Sequence, residues 1–180
     1  MKIKQTNIQG LLIIEPSVFE DKRGYFFESY NEQNFTDAGI DNKFVQDNQS
    51  KSSYGVLRGL HMQKTPHSQA KLIRVIEGSV FDVAVDLREG SATFGEWFGM
   101  ELSAKNRVQM LVPKGCYHGF SVLSETATVF YKCDDFYHPE TETGIRYNDP
   151  DLAIDWKIPA DKIKVSDKDL QLTFFKDHNK

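Results

Sequence analysis

Residues 80–87 read VFDVAVDL. In an extended chain successive side chains point to opposite sides, so Phe81, Val83, Val85 and Leu87 share one face while Asp82, Ala84 and Asp86 share the other. The pattern predicts a strand with one dry face, and it aims two carboxylates to the other side. Outward from this stretch, segments with the same alternation, or rich in aromatic and β-branched residues, recur along the chain. They are 72–78 LIRVIEG, 94–102 FGEWFGMEL, 108–113 VQMLVP, 119–124 GFSVLS, 126–133 TATVFYKC, 43–50 KFVQDNQS, 24–30 GYFFESY and 11–16 LLIIEP. Gly and Asp punctuate most of the intervals, as in a sandwich or jelly roll, where closure also manages exposed strand edges. One early helix is expected over 31–38, NEQNFTDA, with Asn31 as its N-cap and Gly39 as a left-handed stop. From Asn148 onward the chain turns polar and Pro-punctuated, so the tail is expected to wrap the barrel through short turns.

Composition narrows the function classes. The chain has 180 residues, 39% hydrophobic and 12% aromatic, enough for a buried core in one domain spanning 1–180. A net charge of -4 argues against a general nucleic-acid binder, which relies on clustered Lys and Arg. Cys116 and Cys133 lack CxxC spacing and read as two reduced, partly buried thiols. The first sixteen residues contain too short an apolar run for a signal or membrane segment, so a cytoplasmic location without membrane association is expected.

The double-stranded β-helix of the cupins suits this strand pattern, and its open mouth is a usual place for a small-molecule site. Metal-binding cupins resemble a pattern of Gly, five residues, His, one residue, His, and a Glu seven residues before another Gly. Gly55 and His61 keep the first interval, but Gln63 replaces the second His and Lys71 stands seven residues before Gly78. An ammonium in the carboxylate's place opposes divalent metal binding. No metal is expected there. The later stretch 113–120, PKGCYHGF, does fit the second cupin segment through Pro113, Gly115 and His118. Without metal, His, Lys and Tyr in one pocket suit proton transfer. A histidine titrates near working pH and can act as base beside a carbonyl, which nominates His61, and an ammonium can steady the enolate oxygen, which nominates Lys71.

The stretches 19–31 FEDKRGYFFESYN, 44–50 FVQDNQS, 58–63 RGLHMQ, 80–97 VFDVAVDLREGSATFGEW, 112–120 VPKGCYHGF, 129–156 VFYKCDDFYHPETETGIRYNDPDLAIDW and 165–169 VSDKD together resemble the dTDP-4-dehydrorhamnose 3,5-epimerase family, over about residues 3–170. The resemblance implies a cofactor-free isomerase that acts on a dTDP-sugar at C3 and C5 in dTDP-L-rhamnose synthesis for surface polysaccharide, and a homodimer, a partnership the N-terminal strand would help to form. It implies that His61 is the base, Asp169 its paired carboxylate and Tyr131 the acid on the opposite face. It also implies substrate contacts from Arg23, Glu28, Gln46, Asp47, Asn48, Arg58, Lys71, His118, Glu142 and Lys168, with Tyr137 stacking on thymine. Cations, amides and an aromatic face suit a diphosphate, a hydroxylated sugar and a flat base. Met62 departs from the aromatic frequent at its position, and the tail beyond Asp169 is short.

Plainer readings stand beside these. A histidine in an apolar barrel is more often a hydrogen-bonded structural residue, and His118 follows a PxG turn, where a capping role is the plain alternative. Tyr131 lies in an apolar strand where most tyrosines simply pack. His67 and His138 read as loop residues and His178 as tail. Arg74, Arg88 and Arg107 read as surface pairs. Asp82 and Asp86 are explained equally well by edge or turn salt bridges and are not counted among the site residues. Three other functions compete: an epimerase of one centre only, a metal-dependent cupin enzyme, and a sugar-nucleotide binding module without catalysis.

Overall fold

A computed structural model of the chain describes residues 1–177. Its strands are β1 (Lys2–Gln5), β2 (Leu12–Glu15), β3 (Val18–Asp21), β4 (Gly24–Phe27), β5 (Gln46–Ser53), β6 (Leu57–Gln63), β7 (Lys71–Glu77), β8 (Ser79–Asp86), β9 (Trp97–Ser103), β10 (Gln109–Val112), β11 (Cys116–Val122), β12 (Thr126–Cys133) and β13 (Glu142–Gly144). The short helices are α1 (Glu32–Asp37) and α2 (Asp167–Leu170). One sheet runs β1-β2-β10-β7-β12-β5, the other β13-β6-β11-β8-β9, and β3 pairs with β4 in a separate hairpin. All these pairings are antiparallel. This is the expected all-β, cupin-type jelly roll with a few short helices.

The space between the sheets is filled by Ile73, Val75, Val80, Ala84, Met110, Val122, Ala127 and Val129. They come from alternate positions of their strands, so the opposite positions build separate outer layers. Helix α1 covers the back of the first sheet by pressing Phe35 onto Ile14, Leu72 and Leu111. It starts where expected, with the Asn31 side chain accepting from the amide of Asn34, and its end is followed by Gly39 at φ 81°.

One expectation is overturned. Strand β8 is dry on both faces, because Phe81, Val83 and Val85 are covered by Ile145, Leu152 and Trp156 of the wrapping tail. Trp97 donates from Nε1 to the Leu152 carbonyl at 2.9 Å, and Trp156 likewise to Tyr147 at 2.7 Å. The other face turns Asp82 and Asp86 into the interior, both fully buried. Asp86 serves the turn that follows: Arg88, Ser91 and Thr93 donate to it. Burial raises its pKa, but these hydrogen bonds outweigh that and hold the carboxyl well below the usual range. Arg74 and Arg88 also differ from surface pairs, whereas Arg107 does pair with the exposed Glu20. Arg74 is wedged between Phe27 and Phe130 with its Nε buried and unpartnered, Arg88 holds the buried Asp86, and Arg107 joins Glu20 while lying over Tyr25.

Candidate active site

Strand β6 brings the first functional side chain inward. Gly59 has φ 124°, and a Cβ there would stand 2.5 Å from the Cα of Gly119. Only glycine therefore lets β6 approach β11 this closely. The approach lines up His61 with His118 as direct cross-strand neighbours, both facing the interior.

Each imidazole is held by its own aspartate. His61 Nε2 lies 2.6 Å from Asp169 Oδ1, and His118 Nε2 lies 2.8 Å from Asp82 Oδ1. Asp169 arrives from the far end of the sequence. Lys164 accepts from the amide of Leu57 and donates to the carbonyl of Gly55, at 2.9 and 2.8 Å, so the tail docks beside β6. Ser166 then caps α2 by accepting from the Asp169 amide at 3.1 Å. Burial pushes the Asp169 carboxyl up, but the hydrogen bond and charge of His61, the Gly59 amide and Ser166 outweigh it and leave the pKa lowered.

The opposite sheet supplies the other groups. Lys71 opens β7 and Tyr131 lies on β12, and the two strands pair directly. Burial lowers the Lys71 pKa, partly offset by Cys133, Glu142 and Asp82. Burial raises that of Tyr131; Cys133, Glu142 and Tyr137 add to the rise and Arg58 opposes it. The phenol therefore keeps its proton at neutral pH.

Two adjoining cavities open here, of about 480 and 360 Å³, and His61, Lys71 and Tyr131 line both. The larger also exposes Arg58, His118, Phe120, Lys168 and Asp169. The smaller is walled by Gln46, Asn48, Gln63, Gln69, Tyr137 and Glu142. Glu142 accepts from Tyr137 Oη at 2.8 Å and from Lys168 at 2.5 Å, which fixes the aromatic ring at the rim. Burial raises the Glu142 pKa, yet Lys168 and Tyr137 more than compensate and it is lowered overall.

Three of the residues named from sequence stand apart. Asp47 points to the outer face of the edge strand β5, 2.9 Å from Lys132, because it alternates with Gln46 and Asn48. Arg23 sits exposed in the β3–β4 turn, paired with Asp21. Glu28 accepts from Asn31 and Asn34 beside α1. Neither Arg23 nor Glu28 lines a cavity that His61 lines. Conversely, sequence reasoning weighed Asp82 against an edge or turn salt bridge and left it out of the site, and it passed over Phe120, Gln63 and Gln69. His118 lies within β11 rather than capping the turn before it. His178 lies outside the described residues.

Fold and site together define a jelly-roll protein whose pocket pairs an aspartate-held imidazole with an ammonium and a phenol, a set equipped for acid–base chemistry on an anionic small molecule. The chain belongs to the dTDP-4-dehydrorhamnose 3,5-epimerase family, whose model matches residues 5–177. It is an isomerase, as the resemblance implied. It is 52% identical over 178 residues to the dTDP-4-dehydrorhamnose 3,5-epimerase of Pseudomonas aeruginosa, covering 98% of this chain and 97% of that one. It is similar to the crystal structure of the enzyme of that name from Elizabethkingia anophelis, with TM-score 0.96, 58% identity and coverage of 100% and 99% of the two chains. It is also similar to a Legionella pneumophila dTDP-6-deoxy-D-glucose-3,5-epimerase solved with dTDP-4-keto-L-rhamnose, with TM-score 0.93, 49% identity and coverage of 97% and 93%.

Proposed function

We propose that the chain converts dTDP-4-dehydro-6-deoxy-D-glucose to dTDP-4-dehydro-L-rhamnose by inverting C3 and C5 in turn, a step of dTDP-L-rhamnose synthesis. The observation that carries this is the wall shared by the two cavities, where His61 projects from one sheet and Lys71 and Tyr131 from the other. The C4 ketone acidifies both neighbouring positions. His61 removes the proton, its other nitrogen held by Asp169, which fixes the tautomer. General-base help of this kind is typically worth ~10²–10⁴ in rate. Lys71 steadies the enolate oxygen, a contribution of about 3 kcal/mol per donor in comparable sites. Tyr131 returns a proton to the opposite face. Two partners on opposite faces invert a centre, whereas one alone only exchanges its proton.

The nucleotide fits the remaining surface: Arg58 and Lys168 suit the diphosphate, Tyr137 the thymine, and Gln46, Asn48, His118 and Glu142 the sugars and base edges. Arg23, Glu28 and Asp47 belong to this reading only if another copy brings them. The exposed β3–β4 hairpin, with Phe19 and Phe26 each about two-thirds exposed at 67% and 69%, favours a homodimer that delivers Arg23 and Glu28 to a neighbour's pocket. Two free buried thiols, Cys116 and Cys133, suit a reducing cytoplasm. Among the described residues no helix is long and apolar enough to cross a membrane.

Turnover in deuterated water, followed by NMR, tests the reaction. Product labelled at both C3 and C5 is expected; label at one centre alone would make the chain a single-centre epimerase, and none at all a binding module. His61→Ala should abolish exchange, and Tyr131→Phe should leave some exchange with little inversion.

A further inference from the structure

Outside the pocket, on the rim beside Tyr137, two loops meet through their histidines. The imidazoles of His67 and His138 stack face to face, with ring centres 3.6 Å apart and planes 17° from parallel. His138 Nδ1 lies 3.1 Å from the Glu140 carboxylate. Among the described residues, neither ring nitrogen of His67 and not Nε2 of His138 has a hydrogen-bond partner. One ligand atom from each of His67, His138 and Glu140 can be chosen so that all lie within 4.8 Å of one another.

We propose that His67, His138 and Glu140 form a binding site for a borderline divalent transition-metal ion such as zinc, separate from the catalytic pocket. A tetrahedral zinc site with bonds near 2.1 Å places its ligand atoms about 3.4 Å apart. An imidazole binds a metal in its own ring plane, so one ring must turn out of the stack for both lone pairs to converge, and a ligand pair as far apart as 4.8 Å must close by about 1.4 Å. Two imidazoles and one carboxylate select zinc, cobalt or nickel over magnesium and calcium, which prefer all-oxygen shells. The fourth position stays open to water.

The loops are already rigid enough to present the ligands. The buried Gln63 side chain donates to the carbonyls of His67 and Phe136, at 2.7 and 3.1 Å, and accepts from the amide of His138 at 2.6 Å. One amide thus clamps both histidines' loops. Because Tyr137 and Gln63 belong to the same clamp and line the smaller cavity, a bound ion would staple the rim of the substrate pocket.

Isothermal titration of EDTA-treated, dialysed protein with zinc chloride tests this, with cobalt absorption to report a low-coordinate N/O site. One equivalent is expected, weakened roughly tenfold or more by His67→Gln or His138→Gln and less by Glu140→Gln. Zinc-induced shifts of the His67 and His138 ring signals in wild-type NMR spectra give the same test without a variant. The proposal is overturned by the absence of saturable binding. It is equally overturned by binding that survives both histidine substitutions, or by shifts confined to His61 and His118.

Discussion

The Nζ of Lys71 lies 6.0 Å from the ring centre of Tyr131, and the charges of Glu142 and Asp82 favour its protonated form. Its pKa is lowered on folding, chiefly by burial. Between the folded value and the ordinary lysine value the unfolded chain binds more protons, so stability rises with pH across that window, and below it the charged lysine costs stability. Lys71→Met is therefore expected to raise the melting temperature at pH 7 while cutting kcat by ~10²–10³. A melting scan beside steady-state kinetics checks both, and a lower melting temperature would contradict the burial argument. Asp169 carries the opposite sign. Its depressed pKa contributes stability that is present above the ordinary aspartate value and lost as pH falls through the folded one. Asp169→Asn should flatten the acid end of the stability profile and lower kcat with little change in KM, since Asp169 acts through His61.

At the scale of elements, the decisive strand was the hardest to read. Strand β6 breaks the period-two rule: Gly59 interrupts it, and the pairing with β11 shifts register between His118 and Phe120. Its residues 57–63 show no alternation that would announce a strand. Helix α2 is only four residues long, too short to leave a periodic trace, yet it presents Asp169. The tail before it is held by Trp156, which is 5% exposed and packs on the outer face of the second sheet. Its carbonyl also accepts from Ser121 Oγ at 2.6 Å. Trp156→Ala should destabilise by about 3–5 kcal/mol and loosen the strap that carries Asp169, so kcat should fall even at temperatures where the variant stays folded. Trp156→Phe keeps most of the packing and should restore much of both, as read by denaturant titration and turnover.

The whole molecule raises the question of where Arg23 and Glu28 act, since one protomer keeps them away from His61. If a homodimer exchanges them, an Arg23→Ala protein and a His61→Ala protein, each weak alone, should regain activity when unfolded and refolded together. Random pairing gives half heterodimers with one intact site each, so roughly one quarter of wild-type site density is expected; no recovery would place Arg23 in its own protomer's chemistry or in none. The sequence by itself determined the sheet-rich fold, helix α1, the two-sided pattern of strand β8 and, through its collinear motifs, the family and His61, Lys71, Tyr131 and Asp169 of the pocket. Alternation and capping are local properties, legible from neighbours a few residues apart. Only the tertiary structure decided that β8 is dry on both sides, that His118 leans on Asp82, that Asp47 faces outward with Lys132, and that His67 and His138 stack. Each of these depends on segments far apart in the chain arriving at one place, and no local pattern encodes that meeting.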